Sequence, residues 1–132
     1  MINVNKTAKT LEDGIKNMMS GAKDDYKRWS TNAHGEQSQW SKDSVAAWDS
    51  KTKVYPGKKY IKVVQENGVF AFIVKEDMKC MKSGGRYKKG DILKPAGYNA
   101  PALNAPRGNV LTGNYVIQWT GPLYMDSQRR LR

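Results

Sequence analysis

Cysteine and histidine are nearly missing from this sequence: it holds one of each, Cys80 and His34. A single thiol excludes an intramolecular disulfide and any zinc site built on several cysteines, and it agrees with a reducing compartment. Cys80 stands between Met78 and Met81, where a core thiol is the plain reading. Reactivity would need an exposed, electropositive setting, which Lys79 and Lys82 suggest but do not establish. His34 sits in the polar stretch TNAHGEQ (31–37), which suits a solvated imidazole better than a general base. The chain lacks a Walker loop, an HExxH and a GxSxG, and no carboxylate pair has a diagnostic setting. Asp24-Asp25 reads as the polar side of a helix, and Glu76-Asp77 follows a strand. The expectation is a protein without catalysis, cofactor or metal. Also missing is an apolar run approaching the ~20 residues of a membrane span, and the opening MINVNKTAKT has no signal-peptide core. We therefore expect a cytoplasmic protein with no membrane partner.

Positive charge is abundant. The 132 residues carry a formal net charge of +11, which favours polyanionic partners, nucleic acid first. The charge is uneven. Residues 1–53 hold nine Lys/Arg against seven Asp/Glu, whereas residues 54–132 hold fourteen against five. A polyanion site is expected in the C-terminal part.

The periodicity changes along the chain. Leu11, Ile15, Met18, Met19, Ala22, Tyr26 and Trp29 form one stripe at the helical period. Thr10 with Asp13 reads as a variant capping box. Gly14 and Gly21 weaken the helix by roughly 1 kcal/mol each, unless they admit a close neighbour. After the break at Thr31–Gln37, a shorter helix from about Ser38 or Ser41 to Ser50 brings Trp40, Val45 and Trp48 together. From Val54 the pattern is extended. YIKVVQE (60–66) and VFAFIVK (69–75) flank Asn67-Gly68, the strongest short-range hairpin signal. The second run is apolar on both faces, Val69, Ala71 and Ile73 opposing Phe70, Phe72 and Val74, and so reads as a central strand. Ser83-Gly84-Gly85 reads as a turn. Ile92-Leu93 is a short strand, and Val110-Leu111 with YVIQWT (115–120) reads as a second hairpin around Thr112-Gly113-Asn114.

These elements predict an α+β fold: two N-terminal helices followed by a small twisted antiparallel β-sheet or partial barrel. The organisation is an N-terminal helical segment (1–53), a basic antiparallel β domain (54–125) with a Pro/Gly-rich loop at 94–109, and a basic tail (126–132), together one compact unit. In the loop, Pro95, Pro101 and Pro106 each fix φ, and Asn99, Asn104 and Asn109 can close Asx-turns. Such a stiffened loop suits a strap over a sheet edge or a recognition surface.

The block Lys89-Gly90-Asp91-Ile92-Leu93, Asn99-Ala100-Pro101, Arg107-Gly108-Asn109, Trp119-Thr120-Gly121-Pro122 and Tyr124 resembles small bacteriophage-encoded proteins of unknown function. It covers roughly the final third of the chain. The resemblance implies no activity; it implies a phage accessory protein in the host cytoplasm, or a minor virion component.

The residues point first to nucleic-acid binding, RNA or single strands preferred. Cations track phosphates while rings stack bases, and the candidates are Lys58, Lys59, Lys62, Lys82, Arg86, Tyr87, Lys88, Lys89, Tyr98 and Arg107. The rival reading is a protein–protein inhibitor of a host enzyme or defence factor, with Trp29, Trp40 and Trp48 as the contact. A third has the N-terminal helices joining copies of the chain in a particle as a homo-oligomer.

Overall fold

The computed structural model describes residues 1–34, 39–78 and 85–123. The elements are β1 (Ile2–Val4), α1 (Leu11–His34), α2 (Gln39–Ala47), a 3-10 turn (Asp49–Lys51), β2 (Thr52–Pro56), β3 (Tyr60–Gln65), β4 (Gly68–Val74), β5 (Ile92–Leu93), β6 (Pro95–Gly97), β7 (Ala100–Pro101), β8 (Tyr115–Gln118) and β9 (Gly121–Pro122). They form three antiparallel sheets, ordered β1-β8-β9, β2-β3-β4-β5 and β6-β7.

This is α+β, but the expected arrangement of two leading helices and one sheet or partial barrel is overturned. A strand precedes the helices, one helix is long and the other short, and the strands divide among separate sheets. Strand β1 is too short for an alternating pattern to show, and its pairing with β8 (Ile2 opposite Ile117, Val4 opposite Tyr115) is wholly non-local. Helix α1 continues through Thr31 because neither Gly nor Pro occurs between Gly21 and Gly35. Among the described residues, no helix is long and apolar enough to cross a membrane.

Helix α1 starts as its sequence implies. The Thr10 hydroxyl accepts the Asp13 backbone N–H at 3.1 Å, and Glu12 and Asp13 lie in the first turn, where the helix dipole favours negative charge. The stripe Ile15, Met18, Met19 and Ala22 is buried. The two helical glycines permit close approach: a Cβ on Gly14 would stand 2.6 Å from the Val110 carbonyl oxygen, and one on Gly21 2.8 Å from Val4 Cγ2.

Strand β4 is central, as its two apolar faces imply, between β3 and β5. Its alternation breaks at a bulge, where Val63 faces Ala71 and the next residue, Val64, faces Val69. Phe70 is the extra residue, and the bend puts it in the same cluster as Ala71 and Ile73. Phe72 and Val74 serve a second cluster with Tyr87 and Leu93. The larger cluster lies under α1; the smaller lies under the Pro/Gly-rich loop, whose Leu103 packs on it.

Two turns differ from expectation. The β3–β4 turn centres on Glu66-Asn67, with Gln65 paired to Gly68, and the positive φ (59°) falls on Glu66. Strand β8 pairs with β1 and β9 instead of with Val110-Leu111, which lies in a turn. There Asn109 Oδ1 accepts the Leu111 N–H at 2.8 Å, so the Asx-turn at Asn109 forms. The expected turn at Ser83-Gly84-Gly85, together with Cys80, Tyr124 and the basic tail, falls wholly or partly outside the described residues.

Candidate aromatic cleft and its basic surroundings

The helix stripe does not end in the core. Beyond Ala22 it emerges as Tyr26, half-buried, and Trp29, 40% exposed. On α2, Trp40 and Ser44 lie one turn apart, and Trp40 is 49% exposed. Trp48 follows α2 and is buried, its carbonyl accepting the Thr52 hydroxyl at 3.1 Å and the Gln65 amide at 3.3 Å. The turn between β8 and β9 supplies Trp119 and Thr120. All of these line one open cleft of about 470 Å³, with the β3–β4 hairpin as its far wall. Every tryptophan of the chain is in it.

The rings touch in a chain. Trp29 and Trp119 have centroids 4.9 Å apart; Tyr26 lies 5.3 Å from Trp119 and 5.3 Å from Trp48, and stacks on Trp29 at 5.9 Å. These are the separations at which offset or tilted aromatic pairs attract. The buried indole N–H of Trp48 has no acceptor among the described residues. At the rim, the Lys51 ammonium and Glu66 carboxylate lie 3.2 Å apart, both side chains largely exposed.

A second aromatic group lies on the four-stranded sheet's other face. Tyr55 is paired across the strands with Lys62, and the Lys62 ammonium stands 4.1 Å from the centre of the Tyr98 ring. Lys62 also donates to the Tyr98 carbonyl at 3.3 Å and to Asn99 Oδ1 at 3.2 Å, pinning the β6–β7 hairpin to β3. Tyr55 and Tyr98 are 47% and 56% exposed.

The predicted site residues therefore separate. Lys58, Lys59, Lys62 and Tyr98 are brought onto the β2–β3 side, Lys58 and Lys59 beside Lys75 around a small hollow. Arg86, Lys88 and Lys89 are exposed at the approach to β5. Lys82 lies outside the described residues. Tyr87 is wholly buried, its hydroxyl donating to the Asn104 carbonyl at 2.7 Å, so its ring offers no face to a base. Arg107 is only 5% exposed, gripping three oxygens of the chain. Trp29, Trp40 and Trp48 do meet, but Trp48 is the buried floor.

In the sequence Tyr26 reads as part of a core stripe, Trp119 as a strand-face residue, and Lys51 carries no signal. Asp25 reads there as the polar side of its helix, whereas it is buried and bonded to the Trp119 backbone. Only tertiary contact joins Trp119 to Trp29. Among the described residues, no group of three or more His, Cys, Asp or Glu could hold a metal ion. No protein-family model, no curated protein and no solved structure matches this chain.

Proposed function

We propose that this protein binds single-stranded nucleic acid, RNA or unpaired DNA, without catalysing a reaction, in the cytoplasm of the cell where it is made. A bacteriophage accessory role is consistent with the resemblance of its C-terminal third. The observation that carries the reading is the gathering of all four tryptophans and Tyr26 into one open cleft of a chain with net charge +11. Unpaired bases expose π-faces, and stacking each on an aromatic ring contributes roughly 1–3 kcal/mol. The rings of Trp29 and Trp40 are exposed enough to receive them. The positive charge would draw in the phosphate backbone and make binding depend on salt. A volume of about 470 Å³ lies within the ~300–1,000 Å³ typical of ligand pockets.

Tryptophan fluorescence tests this directly, because all four indoles border the site. Single-stranded oligonucleotides should quench it with micromolar or tighter affinity, duplex DNA should do so more weakly, and both effects should weaken as salt rises. Unchanged fluorescence with every oligonucleotide would remove the reading.

The exposure of both Trp29 and Trp40 also supports docking of a host protein, since tryptophans are common interface anchors. Under that reading the cleft would retain a protein from host lysate and ignore oligonucleotides.

A further inference from the structure

Four aromatic residues are exposed among the described residues: Trp29, Trp40, Tyr55 and Tyr98. The first two stand in the aromatic cleft, and the other two belong to the outer face of the four-stranded sheet. The two places are joined. Val69 lines the cleft and also a shallow hollow of about 240 Å³ that it forms with Pro95, Ala96, Gly97 and Tyr98. The rows across the sheet run the same way: Lys53 lies opposite Val64, Val64 lies opposite Val69, and Tyr55 lies opposite Lys62. Lys53 and Tyr55, two apart on β2, share a face. From Lys51 at the cleft rim to Tyr55 the backbone covers at most about 13 Å, at ~3.3 Å per residue.

Lysine and proline on an edge strand guard it against pairing with another strand. That accounts for Lys53 and Pro56 on β2, but not for the exposed rings, each of which leaves apolar surface in water. Tyr98 is moreover held in place. The Lys62 ammonium lies 4.1 Å from its ring centre and donates to the Tyr98 carbonyl and to Asn99 Oδ1, so the hairpin tip is ordered before any partner arrives. Such ordering lowers the entropy lost on binding. The ammonium takes one face of the ring, and the exposure of Tyr98 falls on the remainder. Charge names the occupant. Lys53 and Lys62 border the path, and Lys53 pairs with no carboxylate among the described residues. Lys58 and Lys59, at the next turn, share their hollow with Glu76 and Asp77 and fall outside it.

We infer that the face carrying Lys53, Tyr55, Lys62 and Tyr98 is a second stacking platform, which takes the same single strand as the cleft, with Val69 as the crossing point. The inference deepens the nucleic-acid reading, on which it rests for its occupant. Bases lie on the two tyrosine rings while the lysines follow the phosphates. The site becomes a track, so affinity depends on the length of the strand as well as on its being unpaired.

Strand length tests this on the full chain, with labelled oligothymidylates of about three and about twelve nucleotides, since single-strand sites span roughly 4–16. Fluorescence anisotropy at constant ionic strength should give at least about tenfold tighter binding of the longer strand, after correction for its number of registers. Tyr55→Leu and Tyr98→Leu should each weaken the long strand about fivefold or more and leave the short one unchanged. Tyr98→Trp keeps a ring and should bind the long strand as the parent does. A loss equal for both lengths in the leucine variants, no loss in either, or a loss in Tyr98→Trp matching that in Tyr98→Leu overturns the platform. Should a leucine variant fail to fold, Lys53→Glu, an exposed change on the same face, takes its place with the same expectation. Equal affinities for the two lengths, with tryptophan quenching retained, remove the platform and leave the nucleic-acid reading standing. Absence of binding at both lengths removes both.

Discussion

The backbone N–H of Trp119 donates to the Asp25 carboxylate at 2.9 Å, joining two residues 94 positions apart in the chain. Asp25 is buried on α1 one position before Tyr26, and Trp119 opens the turn between β8 and β9. Together with the β1–β8 pairing, this bond ties two cleft walls to each other. With it in place, the Trp119 ring meets both Tyr26 and Trp29.

Replacing Asp25 with Ala leaves a half-buried amide without its acceptor, also removes the carboxylate that the N-terminal ammonium of Met1 meets at 2.5 Å, and should cost about 1–3 kcal/mol of stability or more. Because the bond also places Trp119, oligonucleotide quenching should weaken more than the loss of folded protein explains. Chemical denaturation alongside a titration at a temperature where both proteins are folded separates the two effects.

Trp29 and Trp48 share the cleft but should respond unequally. Trp29→Ala removes a ring that is 40% exposed and pairs with Tyr26 and Trp119, and should cost about 1–3 kcal/mol while abolishing most binding. Trp48→Ala empties a buried site and should cost about 3–5 kcal/mol. A large stability loss in Trp29→Ala would return that ring to the core and end its role as a stacking surface.

Gly14→Ala should destabilise the protein even though alanine is the better helix former. The propensity gain is about 1 kcal/mol, but the added methyl meets a backbone carbonyl that cannot swing aside. A net loss of roughly 1–3 kcal/mol is expected. Thermal unfolding measures it, and a gain in stability would mean that α1 can move away from Val110.

Glu66→Gly should leave stability unchanged or raise it by up to about 1 kcal/mol, since an L-residue in the left-handed region costs about 1–2 kcal/mol and glycine does not. The exposed ion pair with Lys51 is lost in the exchange, a pair of the kind worth at most about 1 kcal/mol. A fall of more than that, read from urea denaturation, would show that Glu66 does more than turn the chain.

What was legible in the sequence was what local pattern encodes. The buried stripe of α1, the Thr10 cap and the two-faced β4 follow from spacing alone, because each is decided by residues a few positions apart. The bulge at Phe70 was hidden because VFAFIV is apolar at every position, so slipping its alternation by one residue leaves no trace. The turn at Glu66-Asn67 was displaced by one residue for a related reason: Asn-Gly advertises a positive φ, and the ladder put it on the residue before. At the site, Trp29, Trp40 and Trp48 were visible as helical neighbours, whereas Trp119 reaches them only through the Asp25 bond and the β1–β8 pairing.

The pairing of Ile2–Val4 with Tyr115–Ile117 has a consequence for how the protein comes into being. Non-local strand pairs form late, because the intervening chain must first be brought to order. During synthesis the first strand waits, unpaired, until Tyr115–Ile117 has left the ribosome, and Trp119 reaches the cleft only with that closing step. A nascent chain that has emerged only through the helices thus has Tyr26, Trp29, Trp40 and Trp48 but lacks Trp119, so the cleft gains its last wall in one step.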